Sequence, residues 1–481
     1  MSFWLPSLVG RKPGYRELAD AVIKAIENGQ LPADTLLPPS RVLAEHAGVS
    51  RDTVLQCYRY LQSHGFVESD STRGTFVSAI AARVKRDSGQ QDVIESRLSG
   101  YGRTMTGNSR LHSITPELLA FNHGAVPKEY LPLRKWRGLS QARFKPVSFS
   151  NLDSQMLPMG REELRQAISS FLARAKGLAC KSEQVAIFDI SFSAIALLCR
   201  LLLNAGETMA VEEPGFGVVK NVANFLGIEL APIPVDEEGL VVAELDKAKG
   251  KIKLVYVTSS HQEPTGRTLT LERRRQLLAW AKKNDCWIVE DDYDGFLHYG
   301  QKTPPSLKFL DTNDNVIYLS TFWQLLYPIS TICFVVVPLW LVPILERSKI
   351  QVKGLTDAMN QLVLADILDQ GYLQMHTRKV EKALTLKRRA FYFELKKALG
   401  RSVEIESQSG GVTCLVQFKD LDDAAIIAAA EESGLPLLST AGQYLGEPCA
   451  GEFLAYFAGL SSREEEIRGV VASFARILRK T

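Results

Sequence analysis

Val316-Ile-Tyr-Leu-Ser320 and Cys333-Phe-Val-Val-Val337, with residues 321–332 between them and Pro338 after them, form the stretch whose reading decides the fold. Both runs are apolar, rich in β-formers and bounded by loop residues, which predicts two buried strands. The joining segment, Thr321-Phe-Trp-Gln-Leu-Leu326 followed by Pro328-Ile-Ser-Thr331, then falls at a strand end, where open α/β sheets place their sites. The uncharged run 325–345 is long enough to span a bilayer, but Pro328, Pro338 and Pro343 interrupt it and its β-branched character suits a buried strand. The N-terminus, Met1-Ser-Phe-Trp-Leu-Pro6, has no basic region leading into an apolar run, so no signal peptide is expected.

The chain has 481 residues, 46% hydrophobic and 23% charged, enough for two or three domains around a large core. A net charge of +3 is too small to identify a partner. Cysteines at 57, 180, 199, 286, 333, 414 and 449 show neither CxxC nor Cys/His ligand spacing, so reduced, buried thiols are expected, as in a cytoplasmic protein. No metal site is expected: the carboxylates near 290–294 have no histidine at ligand spacing, and His298 stands alone.

The first eighty residues read as a separate unit. Leu18, Val22, Ala25 and Ile26 share one helical face over 15–28, and Gly29 closes that helix. A second helix follows Pro38-Pro39 with Ser40 as cap. After the turn at Gly48-Val49, Ser50 caps a third, in which Val54, Tyr58 and Leu61 recur at i, i+4 and i+7. Gly65-Phe-Val-Glu68 and Gly74-Thr-Phe-Val77 predict a short hairpin, which completes a winged helix-turn-helix. Eight Lys/Arg and eight Asp/Glu fall within residues 1–80, a balance of zero, so charge alone leaves protein contact open beside DNA binding.

Leu37-Pro-Pro-Ser-Arg41, Gly48-Val-Ser-Arg-Asp-Thr-Val54 and Arg73-Gly-Thr-Phe-Val77 resemble the GntR-type DNA-binding domain, over nearly the whole segment. The resemblance implies that Arg41, Arg51 and Thr53 meet double-stranded operator DNA from the second and third helices, and that Arg73 and Gly74 approach it from the wing. First-turn side chains of a recognition helix reach base edges, and a guanidinium can grip guanine with two bonds. Residues 79–115, with Ser88-Gly-Gln-Gln91, Ser99-Gly-Tyr-Gly102 and Thr106-Gly-Asn-Ser109, read as a linker.

From residue 121 to the C-terminus the sequence is similar to fold-type I pyridoxal phosphate (PLP) enzymes, and in particular to the aminotransferase-like half of the MocR/GabR regulators of the GntR superfamily. The segments that carry the likeness are Pro158-Met-Gly160 with Leu164-Arg165, Glu212-Glu-Pro-Gly-Phe216, Ser260-His-Gln-Glu-Pro-Thr-Gly266 and Trp287-Ile-Val-Glu-Asp-Asp-Tyr-Asp294. The expected fold is therefore α/β: an N-terminal winged helix-turn-helix plus a fold-type I aminotransferase-like large domain and a smaller α+β C-terminal lobe. The expected limits are 1–78, a linker at 79–115, and 116–481, the last divided into a large domain at about 150–340 and a small lobe at about 341–481. A continuous helical stretch over 342–399 and a capping box at Ser462 and Glu465 are expected in that lobe.

By position in the family, Phe216 would stack on the cofactor ring, Asp291 pair with the pyridine nitrogen, and Tyr293 reach the ring hydroxyl. Four other elements depart from the pattern. Gln324 stands where the Schiff-base lysine would be and Thr331 where the phosphate-binding arginine would be; Asp189-Ile-Ser-Phe-Ser193 replaces the phosphate loop, and Leu454 replaces the carboxylate-binding arginine. An amide forms no imine with an aldehyde. The resemblance thus implies a cytoplasmic, DNA-binding transcription regulator that forms a head-to-tail homodimer, a pseudo-aminotransferase with no catalytic residue. No cofactor is expected, and its effector would be a small molecule other than covalent PLP. Two alternatives stand beside it: non-covalent PLP held by Phe216, Asp291 and Tyr293, and an active aminotransferase, which fails at Gln324. The bulk of Phe188, Phe192, Trp323, Leu454 and Tyr456 further predicts a self-filled pocket, with Asp189 capping the next helix in place of phosphate.

Overall fold

A computed structural model of the chain describes residues 13–27, 29–70, 73–78, 97–99, 101–103, 124–144, 157–299, 304–352, 357–406 and 410–479. It divides into two units, Met1–Ser109 and Arg110–Thr481. The linker expected at 79–115 lies outside the described residues except for two three-residue pieces.

In the first unit, α1 (Tyr15–Glu27), α2 (Ser40–Ala47) and α3 (Arg51–Ser63) are followed by the antiparallel pair β1 (Val67–Asp70) and β2 (Gly74–Val77). Leu18, Val22, Leu43, Val54 and Leu61 bury completely against one another, the apolar stripes doing what their spacing requires. Ser50 caps α3, its hydroxyl accepting the Thr53 amide at 3.2 Å. Ser40 is the first helical residue rather than a cap; Pro39 occupies the cap position of α2, with no side-chain bond there.

The second unit is built on an eight-stranded sheet in the order β3-β10-β9-β8-β7-β4-β5-β6. The strands are β3 (Val185–Phe188), β4 (Thr208–Glu213), β5 (Glu229–Asp236), β6 (Gly239–Leu240), β7 (Ile252–Val257), β8 (Trp287–Asp292), β9 (Val316–Thr321) and β10 (Cys333–Val336). From β5 through β4, β7 and β8 to β9 the pairing is parallel; β10 runs antiparallel to both β9 and β3. The two runs that decide the fold are thus neighbouring buried strands. Their residues alternate between two cores: Phe334 and Val336 face one apolar cluster, Cys333 and Val335 the other. Such two-sided burial explains why the runs are continuous rather than alternating. Gly160, at φ +89°, lies so close to β3 that a Cβ would overlap the Ile187 side chain.

The C-terminal lobe carries an antiparallel sheet in the order β11-β12-β14-β13, with β11 (Val403–Ile405), β12 (Cys414–Phe418), β13 (Leu437–Ser439) and β14 (Glu452–Ala455). The stretch expected to be one helix over 342–399 is three, Val342–Gln351, Ala358–Asp369 and Tyr372–Leu399; Gly371, at φ +63°, separates the last two. The last helix, Glu464–Leu478, has Arg463 rather than Ser462 as cap and no side-chain capping bond. Among the cysteines, Cys180 is half-buried and Cys449 exposed, so the expectation of buried thiols holds for the other five alone. No described helix is long and apolar enough to cross a membrane.

Inside the covered sheet, Arg274 and Glu290 are both fully buried and paired at 3.1 Å, and Glu290 also accepts the Leu307 and Lys308 amides. Removing one member of such a pair strands the other charge. Arg274→Met is therefore expected to lower the unfolding free energy of the second unit by about 3–5 kcal/mol, read from denaturant titration; a loss below ~1 kcal/mol would show that Glu290 is held by its hydrogen bonds alone.

Candidate functional site

The ends of the parallel strands meet the C-terminal lobe around a cavity of about 300 Å³. Phe216 follows β4, His261 and Glu263 follow β7, Tyr293 and Asp294 follow β8, and Gln324 follows β9, each at the carboxyl end of its strand. Leu454 of β14 and Tyr456 close the cavity from the lobe, the Tyr456 hydroxyl donating to the Ala125 carbonyl.

Strand alternation at the end of β8 gives three consecutive carboxyls different fates. Glu290 and Asp292 point to one side and meet cations: Arg274 for the first, and Lys176 for the second at 3.0 Å. Burial pushes the Asp292 carboxyl up, but Lys176 with the Ser260 and Tyr318 hydroxyls more than reverses this and holds it at about 2. Asp291, on the opposite side and 1% exposed, has neither a cation nor, at Oδ1, any partner among the described residues; Tyr256 donates its hydroxyl to Oδ2. Burial raises its carboxyl to about 8, with neighbouring acids adding to the shift and Tyr256 opposing it.

Phe216 and Tyr293 present nearly parallel rings, 6° apart with centroids 6.2 Å distant. Gln324, 6% exposed, sits on the short helix Trp323–Leu326, anchored where its carbonyl accepts the Val126 amide at 2.7 Å. Thr331 lies on the cavity wall too. Four of the five residues assigned by position to a cofactor site therefore line one cavity, and Asp291 is buried close to it with an orphaned oxygen.

The self-filled pocket is corrected by this geometry. The cavity is open; Phe192 is 37% exposed, away from it, and Phe188 packs in the core under the Lys349 ammonium. Asp189 accepts only the Ile190 amide, at 2.9 Å, and the helix Ser191–Leu202 carries no side-chain cap bond. Trp323, Leu454 and Tyr456 line the cavity without filling it, while Phe192 sits on a helix face that turns outward; the size of a side chain does not state its direction.

Sequence reading missed an acid and a base. His261, 6% exposed, is joined at Nδ1 to the Asp294 carboxylate, and its Nε2 has no partner among the described residues. Glu263 accepts Gln443 Nε2 at 2.8 Å from the C-terminal lobe; burial, and Asp294 next, push its carboxyl up to about 7. These residues were visible in the segment 260–266, but their partners lie 33 and 180 positions away in sequence.

With respect to PLP, the residues divide. The orphaned Asp291 oxygen and the Phe216 ring fit a protonated pyridine. Neither Schiff-base formation nor phosphate binding is served: Gln324 is no amine, Thr331 carries no charge, and no lysine or arginine lines the cavity among the described residues.

In the first unit, Arg51 is exposed at the start of α3, its Nε donating to Ser40 Oγ at 3.3 Å, and Arg41 is exposed beside it on α2. Thr53 is more committed, its hydroxyl bonded to Ser50 Oγ at 2.8 Å. On the wing, exposed Arg73 lies 5.1 Å over the Phe76 ring and Gly74 adopts φ +91°.

Residues 14–77 match the family of bacterial regulatory proteins of the gntR type, and residues 148–445 match aminotransferase class I and II. Probable rhizopine catabolism regulatory protein MocR of Rhizobium meliloti is 30% identical over 94% of this chain and 91% of its own. The HTH-type pyridoxine biosynthesis transcriptional regulator PdxR of Corynebacterium glutamicum is 28% identical over 76% of this chain and 75% of its own. Among solved structures, the kynurenine aminotransferase of Pyrococcus horikoshii superposes with a TM-score of 0.67 at 23% identity, over 81% of this chain and 96% of that one, a likeness of fold.

Because the Asp292 carboxyl sits below its ordinary 3.8 when folded, its pairing stabilises above about pH 4 and is lost as pH falls through about 2. Lys176→Met is accordingly expected to cost about 3 kcal/mol or more at pH 7 and progressively less below pH 4. Denaturant titrations of both proteins at several pH values check this; a loss independent of pH would assign Lys176 a packing role.

Proposed function

The chain belongs to the MocR-type transcriptional regulators, a GntR winged helix joined to an aminotransferase class I and II domain, and we propose that its second domain works without a PLP Schiff base. It is a DNA-binding regulator. The observation that carries the reading of the second domain is Gln324, a buried amide on the cavity wall where the family's fold would need an amine. On this reading the domain dimerises head-to-tail and senses a small molecule, and the protein is a cytoplasmic pseudo-aminotransferase. The limits 1–78, 79–115 and 116–481 belong to the same proposal. So do the DNA contacts of Arg41, Arg51, Thr53, Arg73 and Gly74; Thr53, tied to Ser50, then serves chiefly to set the helix start.

A second reading, non-covalent PLP, is supported by the unpartnered Oδ1 of Asp291 and by Phe216 and Tyr293. Against it stands the absence of a cation for the phosphate dianion among the described lining residues.

Purified protein mixed with PLP is expected to give no absorbance band that borohydride fixes to a lysine; such a band would overturn the reading. Gln324→Lys alone is expected not to restore binding, since the phosphate would still lack its counter-charge. In the first unit, Arg51→Ala is expected to cost roughly 1–3 kcal/mol at the specific operator and little on random DNA, by titration of both at one salt concentration. Equal losses would reduce Arg51 to a phosphate contact.

A further inference from the structure

The cavity's electrical character departs from what its fold would suggest. Its wall carries Glu263 and Asp294, with Asp291 buried behind, and among the described residues of the wall their only basic neighbour is His261. Elsewhere in this unit Glu290 is matched by Arg274, Asp292 by Lys176 and the half-buried Glu213 by Lys220, whereas buried Glu212, at the end of β4, meets Thr258 and no cation among the described residues. At the cavity the partners are neutral or shared, a Gln443 amide for Glu263, a Tyr256 hydroxyl for Asp291 and an imidazole for Asp294. Of the helices that start at the wall, the one at Ser191 has the Asp189 carboxylate already on the Ile190 amide.

We propose that this cavity takes an organic cation: an ammonium group on an apolar or aromatic body, without carboxylate or phosphate. The ammonium is held between the Glu263 carboxylate and the His261–Asp294 pair. In the tautomer whose Nδ1 proton goes to Asp294, the imidazole presents Nε2 as an acceptor, and that atom has no partner among the described residues. Phe216 and Tyr293 give the body two ring faces, which also favour a cation. About 300 Å³ suits a ligand of one ring and a short arm. In keeping with this geometry, burial first and crowding among the acids after it hold the Glu263 and Asp291 carboxyls at about 7 and about 8, as expected of acids lacking a nearby positive charge that a bound ammonium would supply.

The inference rests on the reading that no Schiff base forms, and deepens it by naming the ligand class. Its test is calorimetry on the full chain with three probes of one shape: phenethylamine, phenethyl alcohol and 3-phenylpropionate. Phenethylamine is expected to bind at least tenfold tighter than the alcohol, with 3-phenylpropionate undetectable at millimolar concentration. Glu263→Gln is expected to erase most of the amine's advantage while leaving the alcohol's affinity within twofold, which also reports that the cavity is still formed. If that variant does not fold, the ranking of the three probes on the unaltered chain decides alone. Preference for the carboxylate, equal affinities, or no amine binding at millimolar concentration would overturn the inference. A borohydride-fixed PLP adduct would instead overturn the Schiff-base reading, whatever the amine ranking.

Discussion

The second unit depends on how three consecutive acids at the end of β8 are kept inside a sheet covered on both faces. Pleating sends Glu290 and Asp292 to one side, where Arg274 and Lys176 come from the helices Leu271–Asn284 and Glu162–Lys176 to meet them. These helices are thus positioned by charge as well as by apolar contact, because a carboxylate left unpaired at that depth would cost several kcal/mol. Asp291, between them, is left with a hydroxyl and an oxygen that has no partner among the described residues. One strand end therefore contains both the best-compensated and the least-compensated acids of the site.

That division governs what the cavity can do. In a water-poor pocket an uncompensated carboxyl either stays protonated or waits for a positive partner, and the wall offers no lysine or arginine among its described residues. The neutral side chains of Gln324 and Thr331 are consistent with this: neither brings positive charge to the wall they share. The frame that positions the cavity is retained, since β9 and β10 depend on apolar pairing and not on Gln324 or Thr331.

Much of the fold was legible because its signals are local. The runs at 316–320 and 333–337, the stripe of Leu18, Val22 and Ile26, and the Ser50 cap each state their structure within a few residues. What was not legible depends on direction or distance. The three helices over 342–399 read as one, although Gly371 marks one break and Asp357, whose side chain caps the second helix, marks the other. Phe192 looked like filler for a vacated site, yet its helix turns it outward. His261 and Glu263 became site residues only when folding brought Asp294 and Gln443 to them.

Gln443 joins more than one part of this arrangement. Its side-chain amide donates to Glu263, while its backbone carbonyl accepts both the Gly215 amide and the Lys220 ammonium; just beyond, the Leu445 and Gly446 amides donate to Glu213. The segment 443–446 of the small lobe is therefore stitched to the ends of β4 and β7 through a cavity acid. Whatever changes the charge on Glu263 also changes the strength of a bond that bridges the lobes, and by reciprocity making or breaking that bond alters how readily Glu263 gives up its proton.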